Sequence, residues 1–439
     1  MSDDSLQFIK WFRAASPYIH VHRGKTFVVQ FDDDAIRSDN FTKLVHDLAL
    51  LNSLGIQLVL VFGSRTSIEK YLAENNLSSD YHQGIRITDA QVMEYVKQAA
   101  GTLRIEIESR LSMGLGNTPM ANAEIRVSSG NYVSAKPQGI VDGIDYQFTG
   151  AIRSIDIDSI RMKLVSNEIV LIPPLGYSTT GETFNLSADV LAAKLATELQ
   201  ADKLIYLMEA EGLMDEDGNL IRQLTCLEAE ALLDKTNEKA SRAFRYIQSA
   251  VNASQDGVQR VHLIDRRIDG AILQELFSRD GAGTMLSATA YDVIRQADVN
   301  DITGIIDLIE PLEKQGVLVE RSRGKLELEI NNFTVLQRDG VIIGCAALYP
   351  VMQNDIAELA CLAVHSDYHN AGRGEQLYIF LENHGKSNGL KKIFVLTTHA
   401  EHWFLKHGFI ESTLDDLPVE RKELYNYQRN SKILIKSLR

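Results

Sequence analysis

The chain has 439 residues, enough for two hydrophobic cores, and its 45% apolar and 24% charged residues are the composition of an ordinary folded protein. A net charge of −14 argues against a nucleic-acid partner, and no apolar run is long enough to span a bilayer. Cys226, Cys345 and Cys361 lack metal-ligand spacing, and the acidic start MSDDSLQFIKWFRAASPYI lacks a signal-peptide pattern, so a cytoplasmic protein with free thiols and no metal is expected.

In chain order, TFVVQF (26–31), IQLVLVF (56–62), EIVLIPP (168–174), DKLIYLM (202–208) and RVHLID (260–265) read as strands. They alternate with helical stretches such as DNFTKLVHDLALLNSLG and SADVLAAKLATELQ, a rhythm that predicts an α/β domain with a mainly parallel sheet. From about 122 to 165, short alternating segments predict an antiparallel hairpin or flap inserted in that domain. Small residues in RDGAGTMLSATAYD (279–292) suggest a boundary, giving domains 1–286 and 287–439. The second domain opens with the strand-like YDVIRQA and a helix from Asp298 to about Lys314. After a second helix comes a hairpin, NFTVLQRDGVIIGCAALYP, turning at Asp339-Gly340. A strand, AELACLAVH (357–365), then leads through a glycine-bearing loop into an amphipathic helix, and KKIFVLTT and HWFLKHGF follow.

The loop Tyr368-His-Asn-Ala-Gly-Arg-Gly374 runs from a strand into a helix, where glycines let backbone N–H groups approach a phosphate at the helix's positive end. Read alone, it is equally a tight turn. In the order strand, loop, helix, strand, helix, the region from roughly 290 to 439 resembles the GNAT acetyltransferases, a mixed α/β fold. Their pattern is Gln or Arg, two residues, Gly, one residue, then Gly or Ala; here His369 stands first, followed by Gly372, Arg373 and Gly374. The resemblance implies acetyl-CoA as co-substrate, its pyrophosphate held by this loop and its pantetheine by the main chain of Leu362 and Val364.

Residues 1 to about 286 resemble the amino-acid kinase fold, especially the acetylglutamate kinase branch, through FVVQF, HQGIRITDAQ, NLSADVLAAKLA and ELFSRDGAGT. Together the two parts resemble the bacterial N-acetylglutamate synthases, in which WFRAASPYIH, RSRGKLELEI and LYNYQRNS have counterparts. That likeness implies acetyl transfer to the amino group of L-glutamate, the opening step of arginine biosynthesis, with L-arginine as effector and a homo-oligomeric ring as assembly. Working kinases carry K-x-G-G after the first strand, whereas this chain has Gln30-Phe31-Asp32-Asp33, and their glycine-rich phosphate loop is reduced to Phe62-Gly63-Ser64-Arg65. Acids Asp32, Asp33 and Asp34 are expected to repel a nucleotide, so no phosphoryl transfer is expected. Tyr18, Glu275, Gly281 and Gly283 fall where arginine-sensitive relatives bind the effector, and a carboxylate such as Glu275 suits a guanidinium. The plainer alternative leaves Glu275 on an exposed helix face.

For the chemistry, a carboxylate, or water held by one, must take the proton of a largely protonated amine, and Glu358 matches the family's general base. Arg321, Arg421 and Arg429 match the substrate-contacting positions of the family, with Arg323 able to exchange with Arg321; guanidiniums grip carboxylates through paired bonds. Thr397 is a candidate for bonding substrate or protonating the thiolate, and Cys361, Trp403, Phe404 and Phe409 read as core. Three rival readings stay open: acetylation of a protein lysine or polyamine, an arginine sensor without chemistry, and a bifunctional kinase and acetyltransferase.

Overall fold

The structure, a computed structural model, describes residues 3–438 except 115–117, 216, 236–240, 279–280, 288–291, 339, 352–354, 369–371, 424 and 428. Contacts divide the chain into two compact units, Met1–Thr289 and Ala290–Arg439.

The first unit is built on an eight-stranded sheet in the order 223–225, 284–287, 260–265, 203–208, 26–31, 57–62, 168–172, 126–128. Neighbours run parallel except 260–265 and 284–287, which are antiparallel. Strand alternation fills two layers: Phe27, Val29 and Phe31 pack with Val45, Leu48 and Leu276, while Val28 packs on the other face with Leu191, Leu195 and Ala250. The helix Ala188–Leu199 stops where Gln200 turns left-handed at φ 54° and returns its N–H to Ala196 O. The segment from 122 to 165 departs in part from the expected flap. Val133–Pro137 and Gly150–Ile155 do pair antiparallel, but Arg126–Ser128 joins the large sheet as a parallel edge strand and Ile157–Val165 is helical. Three residues are too few to reveal a strand by alternation.

The second unit carries a seven-stranded sheet in the order 292–296, 333–338, 341–351, 356–364, 392–397, 432–437, 410–412. Only Ile356–Val364 and Lys392–Thr397 pair in parallel. A capping box of Asp298 and Asp301 starts the turn that leads into Ile302–Lys314, and this helix buries Ile305 and Ile309 against Cys345, Ala347 and Cys361. On the opposite face, Arg373–Ser387 buries Leu377, Tyr378 and Leu381 against Ala346, Leu348 and Leu359, with Phe404 and Phe409 in the same core. Each such large apolar side chain contributes about 2 kcal/mol of burial, so the sheet between these helices is a rigid floor for a site.

Candidate functional site

Two irregularities in the strand Ile356–Val364 create the site. Parallel pairing with Lys392–Thr397 runs only from Ile356↔Lys392 to Glu358↔Phe394, and beyond Glu358 the two strands no longer pair. On its other edge the register slips between Cys345 and Ala347, and Cys361 adopts φ 54°, a left-handed conformation rare for a residue with a Cβ. The extra residue lets Glu358, cross-strand partner of Tyr349, share one face with Cys361 and Ala363. Leu359, Leu362 and Val364 point to the other face, towards Arg373–Ser387.

Glu358 stands at the fork, its side chain 15% exposed. Both its oxygens accept from Arg421, on the short helix Val419–Glu423: Nε to Oε2 at 2.6 Å and Nη2 to Oε1 at 3.0 Å. Sequence reasoning assigned Arg421 to substrate; in the structure its guanidinium pairs with the candidate base. A carboxylate held this way keeps lone pairs for a further proton or a water.

Arg321 and Arg429 are differently held. Arg321 Nη1 donates to Val319 O at 2.9 Å, and Arg429 Nη2 donates to Val317 O, so one turn carries both guanidiniums on backbone carbonyls. Burial lowers the Arg429 pKa, and the Arg321 charge lowers it further, which marks two neighbouring cations. Arg323 instead points to solvent, with Nε on Glu327 at 3.1 Å. Thr397 Oγ1 accepts from His399 N at 3.3 Å and Ala400 N at 2.9 Å, closing the turn before Glu401–Lys406. Its hydroxyl oxygen is thus engaged in that turn. Cys361 is 5% exposed and accepts through its carbonyl from Cys345 Sγ at 3.6 Å.

Gly372, at φ 68°, caps Arg373–Ser387 without a side chain, and the first-turn amides of a helix have no partner within it. A Cβ at Gly374 would come no closer than 3.8 Å to Val364, so there is room beside this helix start. Arg373 is tied down, with Nε on Asp292 Oδ2 at 2.8 Å and its guanidinium 5.3 Å from the Tyr368 ring centroid. His369 lies outside the described residues.

In the first unit, an open cleft lies at the carboxyl ends of 26–31 and 57–62. The three acids expected to repel a nucleotide are engaged there instead. Asp33, fully buried, accepts from Thr66 N at 3.3 Å and from Ser67 N, at the start of helix Arg65–Glu74. Asp32 accepts from Tyr246 at 2.6 Å, and Arg242 bridges Asp32 and Asp34 at 3.0 and 3.1 Å. A Cβ on Gly63 would collide with the Asp32 carboxylate, so this glycine now serves an internal contact.

Elsewhere in the unit, Glu275 is buried, which removes the exposed-face alternative. Its Oε1 bonds His262 Nδ1 at 2.6 Å, and its Oε2 accepts from Ala282 N at 2.6 Å and Gly283 N at 3.0 Å. Burial alone would raise Glu275, but these donors outweigh it and hold its pKa at about 2. Burial and Lys203 lower the His262 pKa, so a neutral ring donates to Glu275 and accepts from Lys203 Nζ at 3.2 Å. Gly281, at φ 66°, lies so close to the Glu275 carboxylate that a Cβ would meet Oε2 at 2.5 Å, and a Cβ on Gly283 would strike Leu263 O. Tyr18 packs on the same core, near His22, which bonds Leu276 O at 2.8 Å. Lys203, His262 and His22 escaped sequence reasoning because they lie in ordinary strand and helix text.

Among the described residues, no cluster of three or more His, Cys, Asp or Glu side chains could hold a metal, and no helix is long and apolar enough to cross a membrane.

Comparison with known proteins bears on both units. The amino acid kinase family matches residues 25–265 and the acetyltransferase (GNAT) family residues 307–409. Amino-acid acetyltransferases of Serratia proteamaculans and Yersinia pseudotuberculosis are 47% and 46% identical, each over all of both chains. The N-acetylglutamate synthase of Neisseria gonorrhoeae, complexed with coenzyme A and L-arginine, superposes with a TM-score of 0.90 at 38% identity, covering 98% of this chain and 99% of that one. Its complex with coenzyme A and N-acetyl-glutamate gives 0.64 at the same identity and coverage.

Proposed function

The chain belongs to the amino-acid acetyltransferase family, and from that premise we propose that it transfers the acetyl group of acetyl-CoA to the α-amino group of L-glutamate, with L-arginine as effector. The observation that carries the choice of an anionic substrate is the pair Arg321 and Arg429, both held on backbone carbonyls and so retaining their charge for a ligand. Lysine and polyamine substrates would meet repulsion there.

In the proposed reaction, the first-turn amides from Gly372 to Gly374 hold the pyrophosphate, and main-chain groups of Leu362 and Val364 bond the pantetheine. Arg321 and Arg429 grip the carboxylates of glutamate. Glu358, held by Arg421, takes the ammonium proton directly or through a water, leaving the neutral amine to attack the thioester carbonyl. The C–N bond forms, the C–S bond breaks, and the thiolate of CoA leaves and is protonated, a proton that Thr397 is proposed to supply. No covalent enzyme intermediate is needed, in keeping with a buried Cys361.

The effector site comprises Tyr18, Glu275, Gly281 and Gly283, supported by the buried Lys203, His262 and Glu275 chain of bonds. The kinase-like unit carries no phosphoryl transfer in this proposal, because its phosphate-facing amides are occupied by Asp33. Exposed Phe8, Trp11 and Phe12 on helix Asp3–His22 support self-association, and the protein is proposed to work in the cytoplasm. The test is release of CoA thiol from acetyl-CoA with glutamate, lysine or spermidine, with and without arginine. Glutamate-dependent release that changes with arginine is expected; release with lysine or spermidine alone would replace the reading.

A further inference from the structure

Arg421 differs from Arg321 and Arg429 in what its guanidinium has bonded. Those two donate to backbone carbonyls. Arg421 instead donates from Nε and Nη2 to the two oxygens of Glu358, at 2.6 and 3.0 Å, so the edge that grips a carboxylate in pairs is spent within the chain. These bonds come from a fixed base. Leu417, 4% exposed, shares a core with Ile356, on the same strand as Glu358, and with Phe394, the cross-strand partner of Glu358. A capping box of Thr413 and Asp416 sets the turn before Leu417, and the amides of Arg421 and Lys422 return to Pro418 O at 2.9 and 3.0 Å. The segment that carries Arg421 is therefore packed on the two strands that part at Glu358. Glu358 needs such a tether, because a long rotatable side chain accepts a proton efficiently only when its oxygens are held within bonding reach of the amine.

We infer that Arg421 is a positioning residue: it aims the Glu358 carboxylate at the acceptor amine and has no part in holding glutamate, which falls to Arg321 and Arg429. This rests on the reading above that Glu358 is the base, and it reverses the role that the sequence pattern implied for Arg421. A guanidinium facing the substrate contributes to its binding and acts on the Michaelis constant. One bound to the base acts on the geometry of proton transfer and so on turnover. The two roles separate in the kinetics.

The experiment is steady-state kinetics of the full-length Arg421→Ala variant with glutamate and acetyl-CoA. Its kcat should fall about 100-fold, the scale of a displaced reacting group, with both Michaelis constants within about twofold of their original values. Arg421→Lys, which can return one of the two bonds, should recover about tenfold of that loss, the scale of a hydrogen bond to a charged group. In a Glu358→Gln background, Arg421→Ala should change kcat by less than about twofold, because the carboxylate it acts through is gone. A raised Michaelis constant for glutamate with kcat preserved returns Arg421 to the substrate and overturns the inference, as does a full further fall of kcat in the Glu358→Gln background. Glu358→Gln alone separates this from failure of the base reading. If it slows turnover while Arg421→Ala does not, only the positioning role falls; if Glu358→Gln turns over normally, the base assignment itself falls and the inference with it.

Discussion

The helices Arg65–Glu74 and Arg373–Ser387 both begin behind a glycine-bearing loop that follows a strand, but they treat their positive ends differently. In the first unit, Asp33 folds back on the amides of Thr66 and Ser67 and supplies the negative charge from within the chain. In the second, Gly372 contributes no side chain, so the corresponding positions suit a ligand's phosphates. A helix start is thus an anion site or an internal brace according to whether the chain brings its own carboxylate. The proposal that the first unit carries no phosphoryl transfer rests on two features, the missing lysine after the first strand and the aspartate that occupies the amides at this helix start.

The contrast can be broken at several points. The largest effect is expected from Glu358→Gln, which should lower kcat by about 10²- to 10⁴-fold while leaving the Michaelis constant for acetyl-CoA near its original value. Retained turnover would move the base elsewhere. Next, Gly372→Asp would give the second helix the carboxylate of the first and strain a left-handed position, and acetyl-CoA should bind about 10- to 100-fold more weakly by titration calorimetry. The reciprocal change, Asp33→Ala, should reduce stability by about 1–3 kcal/mol through orphaned amides without creating ATP-dependent phosphorylation of N-acetylglutamate. Phosphorylation by that variant would show that Asp33 alone suppresses the activity.

A smaller effect concerns acid. Burial, followed by the Lys203 charge, lowers the His22 pKa from 6.5 to about 4, with His262 and Arg260 adding to the fall and the bond to Leu276 O opposing it. A folded value below the unfolded one means that stability is fully present above about pH 6.5 and declines as the pH falls towards 4, by about 3 kcal/mol if the whole shift is expressed. Glu275, whose folded pKa is depressed from 4.5 to about 2, adds its own loss in the window below about pH 4.5. Denaturant midpoints across this range should therefore fall in two stages, and His22→Gln should flatten the upper one; an unaltered slope would assign the acid sensitivity to other groups.

Much of the fold was legible because buried strands leave continuous apolar text, as in Thr26–Phe31, and because Asp298 and Asp301 announce a helix start with a capping box. The site was legible only where it follows a family pattern. Pairing of Arg421 with Glu358 joins residues 63 positions apart, and nothing local in either segment signals it. Asp33 looked like a repulsive charge because sequence cannot show that helix Arg65–Glu74 begins against it.

The irregular backbone at Cys361 has a consequence beyond shaping the fork. A strand encodes inside and outside by parity, and the extra residue between Glu358 and Val364 changes that parity midway. Chemistry and packing are therefore written in two reading frames on one strand. Removing a single residue such as Ala360 would restore a regular ladder and leave Leu362 and Val364 on their present face, whereas forcing the full-length strand into regular alternation would exchange the two faces downstream of it. Such a deletion would spare both cores and remove only the bend that shapes the fork.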